Sequence, residues 1–269
     1  MEAGGIRWHV QQSGHGPTLL LLHGAGASMH SWRDVLPILA RNYAVLATDL
    51  PGHGLTSRVS VAQSSIDGMS SLIAELLRAL NVTPEYCVGH SAGAAILCRM
   101  ALDGQIAPKL ILSLNGALMP FGGAAAIWSP VARLLAASSL VSRLVAWHAR
   151  NPSHITRVLA GTGSTLDAKG IELYARLVSD PTHVAGVLRM MANWDLSALE
   201  RDLPRLKTPL ALLSTSNDLT IPPRQALQVQ QLVPGSTVFR LPGLGHLAHE
   251  EQPALVSQEI VRICRTGAC

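Results

Sequence analysis

Short runs of apolar residues that stop at turn-forming ones recur along the chain, and this pattern restricts its fold more than any other feature. "PTLLLLHG" (17–24), "YAVLAT" (43–48), "YCVG" (86–89), "KLILSLNG" (109–116), "PLALLSTS" (209–216) and "STVFRLPG" (236–243) are nearly unbroken. A strand with one face in water alternates apolar and polar residues. Runs this apolar suit strands buried on both faces of a mostly parallel sheet. Between them lie segments with helical spacing. Residues 69–80 set Met69, Leu72, Ile73, Leu76, Leu77 and Leu80 on one face, and 92–102 and 253–264 predict further helices. Strands alternating with helices predict an α/β architecture. The opening "GGIRWHVQQSG" alternates and predicts an antiparallel edge strand.

The rhythm breaks once. From 117 to 205 only helical pieces are legible, at 128–150, 168–179 and 181–193, before "LPRLKTPLALL" restarts the sheet. This predicts a core of 1–116 and 206–269 with a helical cap, 117–205, inserted between two late strands. Ligands of open α/β sheets bind outside the carboxyl ends of the strands, so a cap there would roof the site. Trp128, Trp147 and Trp194, with Met119, Phe121, Met190 and Met191, are expected to give the cap an apolar underside, and Phe121 and Trp128 are the pocket candidates.

Composition narrows the function classes. With 48% hydrophobic and 14% charged residues, the chain can bury a large core. A net charge of +4 with no basic tract gives nucleic-acid binding little support. Cys87, Cys98, Cys264 and Cys269 form no CxxC pair, so reduced thiols in a cytoplasmic protein are expected, with no metal site and no cofactor. The first residues lack a signal-peptide layout. The charge-free span 110–132 is interrupted by Asn115-Gly116, Pro120, Gly122-Gly123 and Pro130, which reads as a strand leading into a new region. Between Asp103 and Asp167 there is no acidic residue, while Lys109, Arg133, Arg143, Arg150 and Arg157 fall inside. Such a surface attracts an amphipathic anionic small molecule or an anionic membrane face.

The run at 86–89 ends in "GHSAG", with Ser91 between a predicted strand and a predicted helix. A hydroxyl is a poor nucleophile near neutral pH. It needs an imidazole to take its proton, a carboxylate to orient that imidazole, and donors for the oxyanion. Each has a candidate at a strand end. "LLHGAGAS" (21–28) is a glycine-rich turn suited to an oxyanion loop, with the Ala25 and Ala92 N–H groups as donors. Asp218 in "STSNDLTIPP" follows a strand, and His246 in "LPGLGHLAHEEQP" sits in a glycine-bracketed loop after the last one. His249 is the competitor, and its place beside Glu250 and Glu251 assigns it to a solvated helix start. The order Ser91, Asp218, His246 is that of an α/β-hydrolase.

"LLHGAGAS", "DLPGHGLTS", "VGHSAGAA", "NDLTIPP" and "GLGHLAHEEQP" together resemble the α/β-hydrolase superfamily across nearly the whole chain. The resemblance implies that fold, a serine esterase-like activity, and structural roles for Asp49, His23 and His53; His90 gets no chemical role. Relatives with dehalogenase or epoxide hydrolase chemistry use a carboxylate where this chain has Ser91, whereas carbon–carbon bond hydrolysis uses the same triad. "GHSAGAAILCRMALDG", "LNGALMPFGG", "ELYARLVSDPTHVAGVLRMMANWDL" and "LPGLGHLAHEE" are similar to the magnesium-chelatase accessory proteins of bacteriochlorophyll biosynthesis. That narrower resemblance implies a tetrapyrrole substrate or cargo and magnesium-chelatase subunits as partners. It leaves a non-hydrolytic accessory protein as the alternative to an enzyme.

Overall fold

The computed structural model describes residues 1–120, 139–148 and 152–267. Its centre is a seven-stranded sheet of β3 (Val10–Ser13), β4 (Thr18–Leu22), β5 (Ala44–Thr48), β6 (Tyr86–His90), β7 (Leu110–Leu114), β8 (Leu210–Thr215) and β9 (Thr237–Leu241). The spatial order is β3-β5-β4-β6-β7-β8-β9, and only the β3–β5 pair is antiparallel. A two-stranded ribbon, β1 (Glu2–Ala3) and β2 (Ile6–Arg7), precedes it.

The unbroken apolar runs have their expected consequence. In β4, Leu20 and Leu22 enter the core on one side of the sheet, while Leu19 and Leu21 enter the core on the other. Against the first side pack α2 (Ile66–Ala79) and α3 (Ala92–Leu102). Against the second pack α1 (Leu36–Leu39) and α11 (Pro253–Thr266), which closes the chain. Ser65 caps α2 by accepting from the Gly68 N–H, which satisfies one of the donors a helix start leaves open. Cys87, Cys98 and Cys264 are buried free thiols, and burial pushes Cys98 and Cys264 up to about 12.

Between β7 and β8 the described residues form helices and no strand: α4 (Ser139–His148), α5 (Pro152–Ala160), α6 (Ala168–Val178), α7 (Pro181–Ala192) and α8 (Ser197–Asp202). After β8 come α9 (Arg224–Leu232) and, following β9, α10 (Ala248–Glu251). The inserted helices meet the loops at the carboxyl ends of the strands. Gly186 of α7 approaches Gly52 so closely that a Cβ on it would lie 1.8 Å from the Gly52 oxygen. The Leu219 and His246 N–H groups both donate to the Thr162 carbonyl.

The expected apolar underside is only partly formed. Met190 is buried, and Met119 and Trp194 pack on the main core. Trp147, by contrast, is 68% exposed. The cause is that α4 turns its small side chains, Ser142 and Ala146, inward. Phe121 and Trp128 lie outside the described residues, as do Arg133 and Arg150.

Candidate active site

The chain moves from β4 to β5 on one side and then to β6 on the other, so the strand order reverses between β4 and β6. At such a switch the loops leaving the two strands diverge and open a crevice. The Gly24–Ser28 turn follows β4 and Ser91 follows β6, so topology alone brings them together.

Ser91 has φ 51° and ψ −116°, a left-handed conformation that a residue with a Cβ rarely adopts. The flanking glycines are what permit it. A Cβ at Gly89 would lie 2.4 Å from the Ala94 nitrogen, and one at Gly93 2.4 Å from the Leu22 oxygen. The Ser91 N–H donates to the Leu114 carbonyl, and its own carbonyl accepts from Ala94 and Ala117, so the turn is held on three sides. The positive end of α3 lies directly after it.

The Gly24 turn touches this elbow: a Cβ there would stand 2.9 Å from both Ser91 Cβ and His90 Nδ1. Among the described residues, neither the Ala25 nor the Ala92 N–H has a protein acceptor. His23 braces the turn as expected. Its Nδ1 donates to the Gly24 carbonyl (2.8 Å) and its Nε2 accepts from the Leu50 N–H (2.9 Å). Burial lowers its pKa to about 4, which keeps it neutral and able to do both. Asp49 is the hub of the neighbouring loop, accepting from the Met29 and Leu55 N–H groups and bonding His9 Nδ1. His53 donates from Nδ1 to the Pro51 carbonyl, and burial lowers its pKa to about 3.

Asp218 and His246, 28 residues apart, meet at 2.8 Å between Oδ2 and Nδ1. The other oxygen of Asp218 accepts from the Thr220 and Ile221 N–H groups, so the Asx turn expected of an Asp near Pro also locks the carboxylate. An Nδ1–H donated to Asp218 leaves Nε2 of His246 as the free base nitrogen. Ser91 Oγ makes no hydrogen bond to His246 among the described residues. Such bonds are commonly long in unliganded sites and tighten around substrate.

Sequence reasoning missed the residues that hold the His246 loop. His90 Nε2 donates to the His246 carbonyl at 2.9 Å, joining the residue before Ser91 to the base. Asn115, with φ 45°, donates from Nδ2 to the carbonyls of Gly245 (3.2 Å) and His246 (3.0 Å). Its Oδ1 accepts from the Thr215 N–H at 3.0 Å. The only advance signal was an Asn-Gly break after a strand. Glu251 accepts from the Gly245 N–H at 2.7 Å, and Ser164 accepts from the Leu247 N–H at 2.8 Å.

His249 is not on a solvated helix start. It opens with α10 but is fully buried, its ring 4.5 Å from that of Trp32. Its Nε2 donates to Ser31 Oγ (2.7 Å), whose own proton goes to Glu250 Oε1 (2.5 Å). Glu250 is buried as well, pushed up in pKa by that burial and partnered by Tyr174. Burial lowers His249 to about 3, and the ring is committed to Ser31, away from Asp218.

A strained serine turn at the strand-order switch, its preceding His90 bonded to the loop that carries a carboxylate–imidazole pair, on a mostly parallel sheet with an inserted set of helices defines a fold class. The profile of the alpha/beta hydrolase family matches residues 19–259, and the chain belongs to that family. It is 40% identical over 252 residues to the magnesium-chelatase 30 kDa subunit of Rhodobacter capsulatus, covering 93% of this chain and 88% of the other. Solved structures with the same fold include an alpha/beta hydrolase fold protein from Burkholderia ambifaria, with a TM-score of 0.80 and 23% identity over 96% of this chain and 94% of that one. An enol-lactonase from Burkholderia xenovorans has a TM-score of 0.78 and 18% identity over 98% of each chain.

Proposed function

We propose that this chain is a serine hydrolase that cleaves a carboxylic ester or related acyl bond through an acyl-enzyme. The observation that carries the reading is the 2.8 Å bond between His246 Nδ1 and Asp218 Oδ2, in a loop tied through His90 to the strained Ser91 turn. Ser91 Oγ attacks the carbonyl carbon while His246 Nε2 takes its proton. Asp218 stabilises the imidazolium, and the Ala25 and Ala92 N–H groups bind the oxyanion. Collapse breaks the bond to the leaving alcohol, which receives the proton from His246. Water then attacks the acyl-enzyme by the same route in reverse. Carbon–carbon bond hydrolysis is open to the same groups. Residues 117–205 serve as a lid over a core of 1–116 and 206–269, and the protein works in the cytoplasm on an amphipathic small molecule.

One observation favours a second reading: the 40% identical relative carries the name of a magnesium-chelatase subunit. In that reading the chain assists chelatase subunits or carries a tetrapyrrole in bacteriochlorophyll biosynthesis, without hydrolysis. A fluorophosphonate probe separates the two. The hydrolase reading expects stoichiometric labelling at Ser91, and loss of both labelling and p-nitrophenyl ester turnover by about 10⁴-fold or more in a folded Ser91→Ala variant. A well-folded wild-type protein that is not labelled sinks the hydrolase and leaves the carrier.

A further inference from the structure

Helix α4 is built the wrong way round for a helix that faces water. Leu140, Leu144 and Trp147 follow one another at helical spacing, and they are 64%, 55% and 68% exposed. Val145 beside them is also exposed, while the residues turned inward include Ser142 and Ala146. An amphipathic helix on a globular protein does the opposite and lays its large apolar side chains on the core. A further exposed apolar side chain lies on the next helix. The His148 and His154 rings lie 4.2 Å apart and join α4 to α5, where Val158, one turn beyond His154, is 68% exposed. Single exposed apolar residues are ordinary, but a contiguous group on one surface marks something that covers it.

Charge chooses the occupant. Arg143 lies exposed within the α4 stripe and Arg157 beside Val158. The chain has no Asp or Glu between Asp103 and Asp167, and α7, against which α4 packs, has none between Pro181 and Ala192. Helix α6, against which α5 packs, carries Glu172, paired with Lys169 and Arg176, and is capped by Asp167, which pairs with Arg33. A protein partner recognised through an apolar stripe would not require α4, α5 and α7 all to be free of acidic groups. A negatively charged lipid surface would, because each carboxylate near it is repelled while each guanidinium is attracted. A tryptophan at the end of the stripe, with an apolar ring body and a polar N–H, suits the level of the lipid headgroups. Among the described residues no helix is long and apolar enough to cross a membrane, so the element would lie in the plane of the interface.

We propose that the outer face of α4, extended by Val158 of α5, docks on the surface of an anionic lipid membrane, with Leu140, Leu144 and Trp147 inserted among the headgroups and Arg143 and Arg157 paired with lipid charges. This sets the exposed face of α4 against lipid, and it holds whether or not Ser91 is a nucleophile.

The test is co-sedimentation of the intact protein with phosphatidylcholine vesicles, with and without about one-third phosphatidylglycerol, at low and at roughly 0.5 M salt. Binding is expected to the phosphatidylglycerol vesicles only, falling about tenfold at high salt. Leu144→Glu and Trp147→Glu should each weaken it by about tenfold or more, because each removes an inserted apolar group and adds a repelled charge. Both positions are exposed, so circular dichroism and thermal melting should match wild type, and probe labelling of Ser91 should be unchanged. Absence of vesicle binding, equal binding to neutral vesicles, or binding indifferent to both substitutions would overturn the proposal. Concentration-dependent dimerisation abolished by Leu144→Glu, without vesicle binding, would also overturn it and assign the face to a second copy of this chain.

Discussion

Mild acid should destabilise this protein well before its carboxylates titrate. His23, His53, His90, His183 and His249 are all buried, and that burial lowers each below the ordinary imidazole value: His23 to about 4, His53, His183 and His249 to about 3, and His90 well below 6.5. Near pH 5.5 they remain neutral in the folded state, whereas in the unfolded chain they take up protons with a pKa of about 6.5. The unfolded state therefore binds more protons, and stability falls as pH falls from the unfolded pKa toward the folded ones. Between about pH 7.5 and 5.5 each such histidine loses roughly 1.4 kcal/mol, and His30, which burial also lowers to about 4, makes a sixth, so together they cost on the order of 6–8 kcal/mol, a large share of the roughly 5–15 kcal/mol of a typical domain. Glu250, pushed up by burial, works in the opposite sense and is a single group. The assay is urea unfolding at several pH values, read as the midpoint at constant slope. His183→Asn, with its side chain at the Gly54 N–H, should remove about one-sixth of the pH dependence. A midpoint that is flat from pH 7.5 to 5.5 would refute the reasoning, because these imidazoles would then be accessible to protons in the folded state.

His246→Ala should abolish ester turnover with little change in fold, while His249→Ala should lower stability by roughly 2–4 kcal/mol and leave kcat within about tenfold of wild type, since it removes a packed ring and the Ser31 partner; equal losses in kcat would undo the assignment of the base. Asn115→Ala should cost roughly 1–3 kcal/mol in a denaturant melt by stranding the Thr215 N–H, while the Gly245 and His246 carbonyls keep donors from Thr215 Oγ1 and His90. Asn115→Gly separates the causes: if it restores stability, the positive φ was the burden and the hydrogen bonds were not.

Much of the core could be read from the sequence because its signals are local. An apolar run ended by glycine specifies a strand buried on both faces, and "YCVGHSAGAA" specifies a sharp turn because only glycine permits the approaches on either side of Ser91. The pairing of Asp218 with His246 could likewise be read from their places at strand ends, as could Asp49 and His23 as loop supports. Tertiary structure decided what depends on partners far away in the chain. His246 and His249 stand three residues apart in one polar stretch. One meets Asp218, and the other is buried against Trp32 and Ser31 more than two hundred residues earlier. Asn115, which ties the β7 end to the His246 loop across about 130 residues, looks in sequence like a mere strand terminator. The direction in which α4 turns its Leu and Trp side chains is of the same kind. Helical spacing sets which residues share a face, but which face looks inward is settled only by the surface the helix finally packs against.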